Sequence, residues 1–186
     1  AGTVAWGYFA TCVQSTSNTF INNAGIFDKV YFPRLTVPIA NVIIGLMQFL
    51  VQFLIFLAFY VYYIFVGADI IPNMLIFFLP LILLQMGILG LGFGILISSL
   101  TTKYRDLTFA MTFLIQIWMY LTPVVYPLSS VPEKYRILAA INPMTSVVEC
   151  FRMIFLGSSS IEGMHIIVSA VITFLVFILG LIMFTK

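Results

Sequence analysis

From Pro38 to Val66 the chain runs for 29 residues without one charged side chain, and this run constrains the fold more than any other feature. As a helix it would be about 43 Å long. That exceeds the ~30 Å hydrocarbon core of a bilayer, so tilt or protrusion is expected. The rest of the chain supports the same class. Only 8% of its 186 residues are charged and 62% are hydrophobic, whereas a soluble domain carries roughly 25% charged residues. The chain could not give itself a wetted surface, and it reads as an integral membrane protein. Its net charge of +2 is small and scattered, which excludes a nucleic-acid footprint. Cys12 and Cys150 have no ligand spacing and read as two small buried thiols.

Five crossings are expected, in one transmembrane domain covering 1–186. The first runs from Val4 to Ile21; its polar end, Gln14 to Thr19, must face other helices or a watery cavity. In the second, Asn41, Gly45, Gln48 and Gln52 are four, three and four apart and share one helical face. That face suits a packing seam or a conduit lining, and the sequence leaves both open. The third, Asn73 to Leu100, carries Gly87, Gly90, Gly94 and Ser98 on one face, a pattern that lets another helix approach closely. Its Gly90-Leu-Gly-Phe-Gly94 stretch is not a phosphate loop, because no strand precedes it and no Lys follows. The fourth, Leu107 to Leu121, is short, and Met164 to Phe184 is the last. Between them, residues 123–163 hold Pro123, Pro127, Pro132 and Pro143 and apolar pieces too short to cross, which reads as a re-entrant pair. The chain starts at Ala1 with no Met and no signal-like leader, so an upstream part is expected to be missing.

Basic residues suggest an orientation. With the loop around Lys29 and Arg34 cytoplasmic, Lys103, Arg105 and Lys186 join it, five in all. Lys134, Arg136 and Arg152 fall on the other side, with Asp69, Glu133, Glu149 and Glu162.

Catalytic and proton-relay signatures are lacking. The single His165 starts the last span, no HExxH or Gly-x-Ser-x-Gly motif occurs, and no charge sits mid-span in the first four segments. Two features remain. The loop Phe27, Asp28, Lys29, Tyr31, Phe32, Pro33, Arg34 sets aromatics beside charges of both signs, as protein-contact patches do, or is an ordinary positive-inside loop. Glu149 and Arg152 lie three apart on one helix face among apolar neighbours. They form either a structural pair or a gate element that re-pairs on opening.

The residues here resemble a known family. Lys29-Val-Tyr-Phe-Pro-Arg34 followed by Pro38, then Tyr104, Arg105 and Asp106, is similar to the permeases of type-2 ATP-binding-cassette exporters. So is Leu121-Thr-Pro-Val-Val-Tyr-Pro-Leu-Ser-Ser-Val-Pro132, followed by Asn142-Pro-Met-Thr-Ser-Val-Val-Glu-Cys-Phe-Arg152. Within that group the resemblance is to the branch exporting lipid-linked O-antigen, capsule or teichoic-acid chains. It implies an all-α helical bundle in the bacterial inner (plasma) membrane, a homodimer, and a cytoplasmic ATPase partner that carries ATP and Mg. The chain itself would be no enzyme and bind no cofactor. Residues 27–34 would match the helix that couples to the ATPase, with Tyr104 to Asp106 as a second cytoplasmic turn. Pro123, Tyr126, Pro127, Asn142, Pro143, Glu149 and Arg152 would fall in an outer gate. The family has six spans, so its amphipathic leading helix and first span are expected upstream of this chain. A sugar polymer is polar yet has apolar ring faces, so aromatics and amides suit its channel. Trp6, Tyr8, Phe9, Trp118 and Tyr120, with Asn41, Gln48 and Gln52, are the candidates. An exporter of a drug or lipid shares the coupling loop and is the nearest alternative. A membrane-embedded glycan or lipid enzyme, resting on Asp69, Glu133, Glu149 and Glu162, and a purely structural scaffold are the alternatives of other classes.

Overall fold

The computed structural model describes residues 1–19, 33, 35–67, 74–103, 107–126, 128–132, 139, 141–157 and 163–185. Among these residues six α-helices follow in chain order: α1 (Gly2–Ser17), α2 (Thr36–Phe65), α3 (Leu79–Lys103), α4 (Leu107–Leu121), α5 (Pro143–Leu156) and α6 (Gly163–Thr185). Short 3-10 turns precede α3 (Met74–Phe78) and α5 (Leu128–Ser130), and no strand occurs among the described residues. Among the described residues three stretches are long and apolar enough to cross a bilayer: Thr36–Phe65, Leu75–Thr101 and Gly163–Phe184. At 30, 27 and 22 residues they reach about 45, 40 and 33 Å. α1 and α4, the other two expected crossings, have 16 and 15 residues.

Prolines fix two of the boundaries. In the segment expected to begin as a helix at Asn73, which itself lies outside the described residues, Met74–Phe78 winds as a 3-10 turn and the α-helix starts at Leu79. Pro80 has no N–H to donate to a preceding turn, so it fits only the first positions of a helix, where none is required. At the start of α5, the Asn142 side chain accepts the Met144 N–H (3.1 Å) and Pro143 takes the first turn. The helix ends at Gly157 with φ 66°, a left-handed cap closed by its N–H on the Met153 carbonyl (3.2 Å).

α1 is the enclosed helix, wrapped by α2, α3, α4 and α5. Its closest neighbour is α3, which meets it with the small-residue face read from the sequence. A Cβ added at Gly90 would lie 2.6 Å from the Cys12 Cβ, and one at Gly94 would strike Thr16. The opposite side of α3 lies equally close to α6: a Cβ on Gly92 would meet the Phe177 backbone at 3.0 Å, and one on Gly180 would meet the Gly92 carbonyl at 2.9 Å. Dispersion contacts of this backbone-to-backbone kind drive helix association in lipid, where no hydrophobic force separates protein from solvent. α3 is therefore a plank with glycine on both faces.

Aromatic side chains hold the remaining helices. Trp118 of α4 packs edge-on against Phe93 (4.8 Å), Phe9 (5.2 Å) and Trp6 (6.1 Å). On the other side, Phe53, Phe56 and Tyr60 of α2 pack on Phe155 of α5 at 5.7, 5.2 and 5.7 Å. Such pairs contribute about 0.5–1.5 kcal/mol each beyond the area they bury.

Candidate functional site

The outward face of α1 is small and polar. Thr3, Gly7, Thr11, Gln14 and Asn18 recur at spacings of four, four, three and four, so they form one stripe. α2 lies alongside with Gln52, Gln48 and Asn41. Gln52 sits against Gly7, where an added Cβ would be 2.9 Å from its Oε1. At the polar end, Thr11, Gln14, Ser15, Asn18, Thr19, Asn41 and Gln48 line a cavity of about 480 Å³. A second hollow of about 400 Å³ continues the furrow past Gln52 to Thr3 and Phe59.

Hydrogen bonds order this furrow. Asn41 Nδ2 donates to the Ser15 carbonyl and to Thr19 Oγ1, both at 3.1 Å, tying α2 to the end of α1. Thr101 Oγ1 reaches the Ser17 carbonyl from α3 (3.1 Å), and Gln14 Nε2 donates to Thr112 Oγ1 of α4 (3.2 Å). The polar run Gln14 to Thr19 thus divides: Thr16, Ser17 and Thr19 are buried against helices, while Gln14 faces the furrow. Asn18 Oδ1 is buried and has no hydrogen-bond partner among the described residues. The side of α2 read as a seam or a lining is close-packed at one position and open at two others. A Cβ added at Gly45 would lie 3.3 Å from Cys12 Sγ, whereas Gln48 and Gln52 are exposed.

A different arrangement closes the other end. Arg152 and Glu149 of α5 pair at 2.8 Å, with side chains only 11% and 2% exposed. Arg152 also donates to the carbonyls of Tyr126 (2.8 Å) and Val124 (2.7 Å), and Glu149 accepts the Leu128 N–H (3.2 Å). Both charges are thereby spent on the backbone of the loop after α4. Asn142 Nδ2 adds a bond to Thr122 Oγ1 (2.8 Å), and the Tyr126 hydroxyl donates to the Tyr120 carbonyl (3.1 Å). Trp118, Tyr120, Tyr126, Asn142 and Pro143 share the lining of a cavity of about 670 Å³.

The eight aromatic and amide candidates for a conduit separate accordingly. Trp6, Tyr8 and Phe9 lie in the core at 4, 4 and 0% exposure, because the side of α1 that carries them turns toward α2, α3 and α4. Trp118 is half-buried, Tyr120 is 70% exposed, Gln48 and Gln52 face the furrow, and Asn41 bridges the two helices. Pro33 is exposed, and its carbonyl accepts the Thr36 N–H (3.0 Å). Phe27, Asp28, Lys29, Tyr31, Phe32, Arg34, Tyr104, Arg105, Asp106 and Pro127 lie outside the described residues. Sequence reasoning missed Thr3, Gly7 and Thr11 in the furrow and the partner role of Thr112. Their signal was present, as hydroxyls and glycine recurring on one face of an apolar helix. No cluster of His, Cys, Asp or Glu placed to hold a metal occurs among the described residues.

A family model described as ABC-2 type transporter matches residues 1–156 of the chain. The chain belongs to the ABC-2 type transporter family. As an ABC-2 chain it is an integral membrane transport subunit, and its apolar helices fit that setting. It is similar to an "O-antigen export system permease protein RfbA" of Klebsiella pneumoniae, 28% identical over 186 residues, which covers the whole chain and 70% of that relative. A second Klebsiella pneumoniae protein of the same name is 28% identical over 159 residues, covering 85% of the chain and 60% of the relative. A Myxococcus xanthus protein, again named as an O-antigen export system permease, is 25% identical over 156 residues, covering 83% and 58%. The ABC-2 chain thus spans between 58% and 70% of the length of these three relatives.

Proposed function

We propose that this chain belongs to a permease that moves a lipid-linked surface polysaccharide across the bacterial inner membrane, driven by a separate cytoplasmic ATPase that carries ATP and Mg. The observation that carries this reading is the furrow along α1 and α2. Its polar end is lined by amides and hydroxyls, its continuation by Thr3 and Gln52 among Val4, Ile55, Phe56 and Phe59, and no charged side chain occurs among these lining residues; such a surface suits a neutral, hydroxyl-rich ligand with apolar ring faces. Tyr120 and Trp118, beyond α1's polar stripe, offer ring faces of the kind on which sugars stack. The relatives' names as O-antigen export permeases support the same substrate class.

In this reading the domain covers 1–186 and α1 and α4 cross the membrane together with the three longer helices. A second copy closes the open side of the furrow into a channel. Residues 27–34 dock on the ATPase with Tyr104 to Asp106 beside them, and residues 123–163 form the re-entrant outer gate. The experiment is co-purification of the full-length protein with its ATPase, wild type against Tyr31→Ala/Arg34→Glu. Association that the double change abolishes supports the coupling role. An intact wild-type protein that holds no ATPase removes the energy source and ends the exporter reading. Gln48→Leu/Gln52→Leu then tests the furrow: complex formation is retained and surface polysaccharide falls. Undiminished polymer would place the path elsewhere.

A further inference from the structure

A fourth hollow has no part in the furrow or the outer loop. It lies where α5 meets α3 and α6, and its volume is about 340 Å³, near the lower end of the ~300–1,000 Å³ typical of small-molecule pockets. Ile82, Val147 and Ile154 form a buried floor, at 8, 2 and 3% exposure. Phe78, Leu81 and Ile166 form an exposed apolar rim, at 54, 62 and 39%. Cys150 and Met153 of α5 complete one wall.

Two lining side chains have hydrogen-bonding groups of the amide or hydroxyl type, and both are engaged within the protein. Gln85 Nε2 donates to Ser169 Oγ (2.8 Å), which in turn donates to the Pro143 carbonyl (2.8 Å). Ser146 Oγ donates to the His165 carbonyl (3.1 Å). No charged side chain lines the hollow. Water needs two to four polar partners to stay in such a space, and apolar cavities remain dry while taking apolar guests. Beyond this rim, Met164 and Ile167 of α6 are exposed as well. Whatever covers the rim has direct access to the hollow, and for a membrane-spanning chain that is the hydrocarbon of the bilayer.

We infer that this hollow is a binding site for one acyl chain of a membrane phospholipid, inserted between α5 and the α3–α6 pair. Bulk phospholipid is the source favoured here, since it is present at far higher concentration than any other hydrocarbon chain and occupancy follows concentration. The inference needs only that the chain lie in a bilayer and does not rest on the substrate proposed above. Its consequence is that α5, which carries Glu149 and Arg152, is supported by protein on one side and by lipid on the other.

The test uses full-length protein in nanodiscs of phosphatidylethanolamine and phosphatidylglycerol doped with a phospholipid bearing a diazirine at an acyl terminus. After irradiation, adducts are mapped by mass spectrometry. Adducts should concentrate on Cys150, Met153 and Leu81 above the level at Phe174 and Leu175, which lie on the exposed belt of α6. Cys150→Trp and Ile166→Trp fill the hollow from opposite walls, and each should remove the cavity adducts while leaving those of the belt. Should Cys150→Trp fail to fold, Ile166→Trp still decides, because its side chain starts at an exposed position. Cavity adducts no stronger than belt adducts, or unchanged by filling, overturn the inference. So does labelling by a polyprenyl diphosphate probe that phospholipid does not compete away, which would assign the hollow to an isoprenoid chain. Cross-links from Cys150 to another protein segment in place of lipid adducts would overturn it too.

Discussion

Arg152→Met removes three hydrogen bonds and one charge in a single step, and the structure lets its cost be worked out. Glu149 would stay 2% exposed with only the Leu128 N–H on its carboxylate. The Val124 carbonyl, on a buried residue, would lose its guanidinium donor, as would the Tyr126 carbonyl on a residue 37% exposed. Breaking a buried pair by deleting one partner costs about 3–5 kcal/mol, because the survivor is left charged and unpaired. With part of the carbonyl loss regained from solvent, the expected destabilisation is about 4 kcal/mol. Glu149→Gln should cost about 2 kcal/mol, since a neutral amide oxygen can still accept from Leu128 while Arg152 keeps two carbonyl partners.

The double variant Glu149→Gln/Arg152→Met carries no uncompensated charge, and it should also lie near ~2 kcal/mol, well short of the sum of the singles. The assay is thermal unfolding in detergent followed by the fluorescence of Trp6 and Trp118, the only two tryptophans in this chain. Since unfolding there is commonly irreversible, inactivation rates at one temperature are ranked beside the transitions. At 2–4 °C per kcal/mol for a chain of this size, Arg152→Met should fall by roughly 10 °C and the double variant by about half as much. Arg152→Lys should not rescue, because a single ammonium cannot span Glu149, Val124 and Tyr126 as a planar fork does. A double variant as damaged as the two singles combined would refute the reasoning, as would an Arg152→Met protein that melts with the wild type.

Five further changes probe the rest of the bundle. Gly90→Leu drives a side chain into Cys12 of α1 and should cost at least about 1–3 kcal/mol, whereas Gly87→Ala, whose Cβ would meet the movable Tyr8 hydroxyl at 3.0 Å, should be much milder; yield and monodispersity in detergent report both. Asn41→Leu breaks the bonds to Ser15 and Thr19 and should lower stability by about 0.6–2 kcal/mol, read as increased protease cleavage between α1 and α2. Asn142→Ala loses the α5 cap and the tie to Thr122, for about 1–2 kcal/mol, and Asn142→Asp, which still caps but cannot donate to Thr122, should recover about half of the melting loss.

The sequence was most legible where one residue type has one use. Gly87, Gly90 and Gly94 on one face of an apolar helix can hardly do anything but admit a neighbour, and α1 fills that place. The Glu149–Arg152 pair was readable because neither charge can stand alone among Phe151, Met153 and Ile154. Aromatics were the least legible. Trp6 and Phe9 are as suited to a core as to a conduit, and their placement depends on Phe93 and Trp118, more than 80 residues away. Helix extent was partly hidden for another reason. α1 and α4 are too short for hydropathy to separate a crossing from a buried helix, and the polar end of α1 is explained only by partners on α2, α3 and α4.

The way each helix is attached ranks how freely it can shift. α3 touches both α1 and α6 through glycine, so any displacement there drives backbone into backbone. α5 is fixed to the preceding loop by the Arg152 fork and to α6 by the Ser169–Pro143 and Ser146–His165 bonds. α2 leans on α5 through aromatic rings that can slide, with Asn41 as its polar tie to α1. Among the described residues α4 has few anchors: Trp118 against Phe9, Phe93 and Trp6, the buried Ile115, the Gln14–Thr112 bond and the Tyr126 hydroxyl on the Tyr120 carbonyl, with Phe109, Phe113 and Tyr120 all exposed. The furrow therefore has a rigid floor, α1 held on α3, and walls attached by side chains alone. A shift of α4 away from α1 costs least, since between these two helices it breaks one neutral hydrogen bond, Gln14–Thr112, worth about 0.5–1.5 kcal/mol and loosens the packing of Trp118. The same displacement at α3 would have to separate two glycine-lined seams at once.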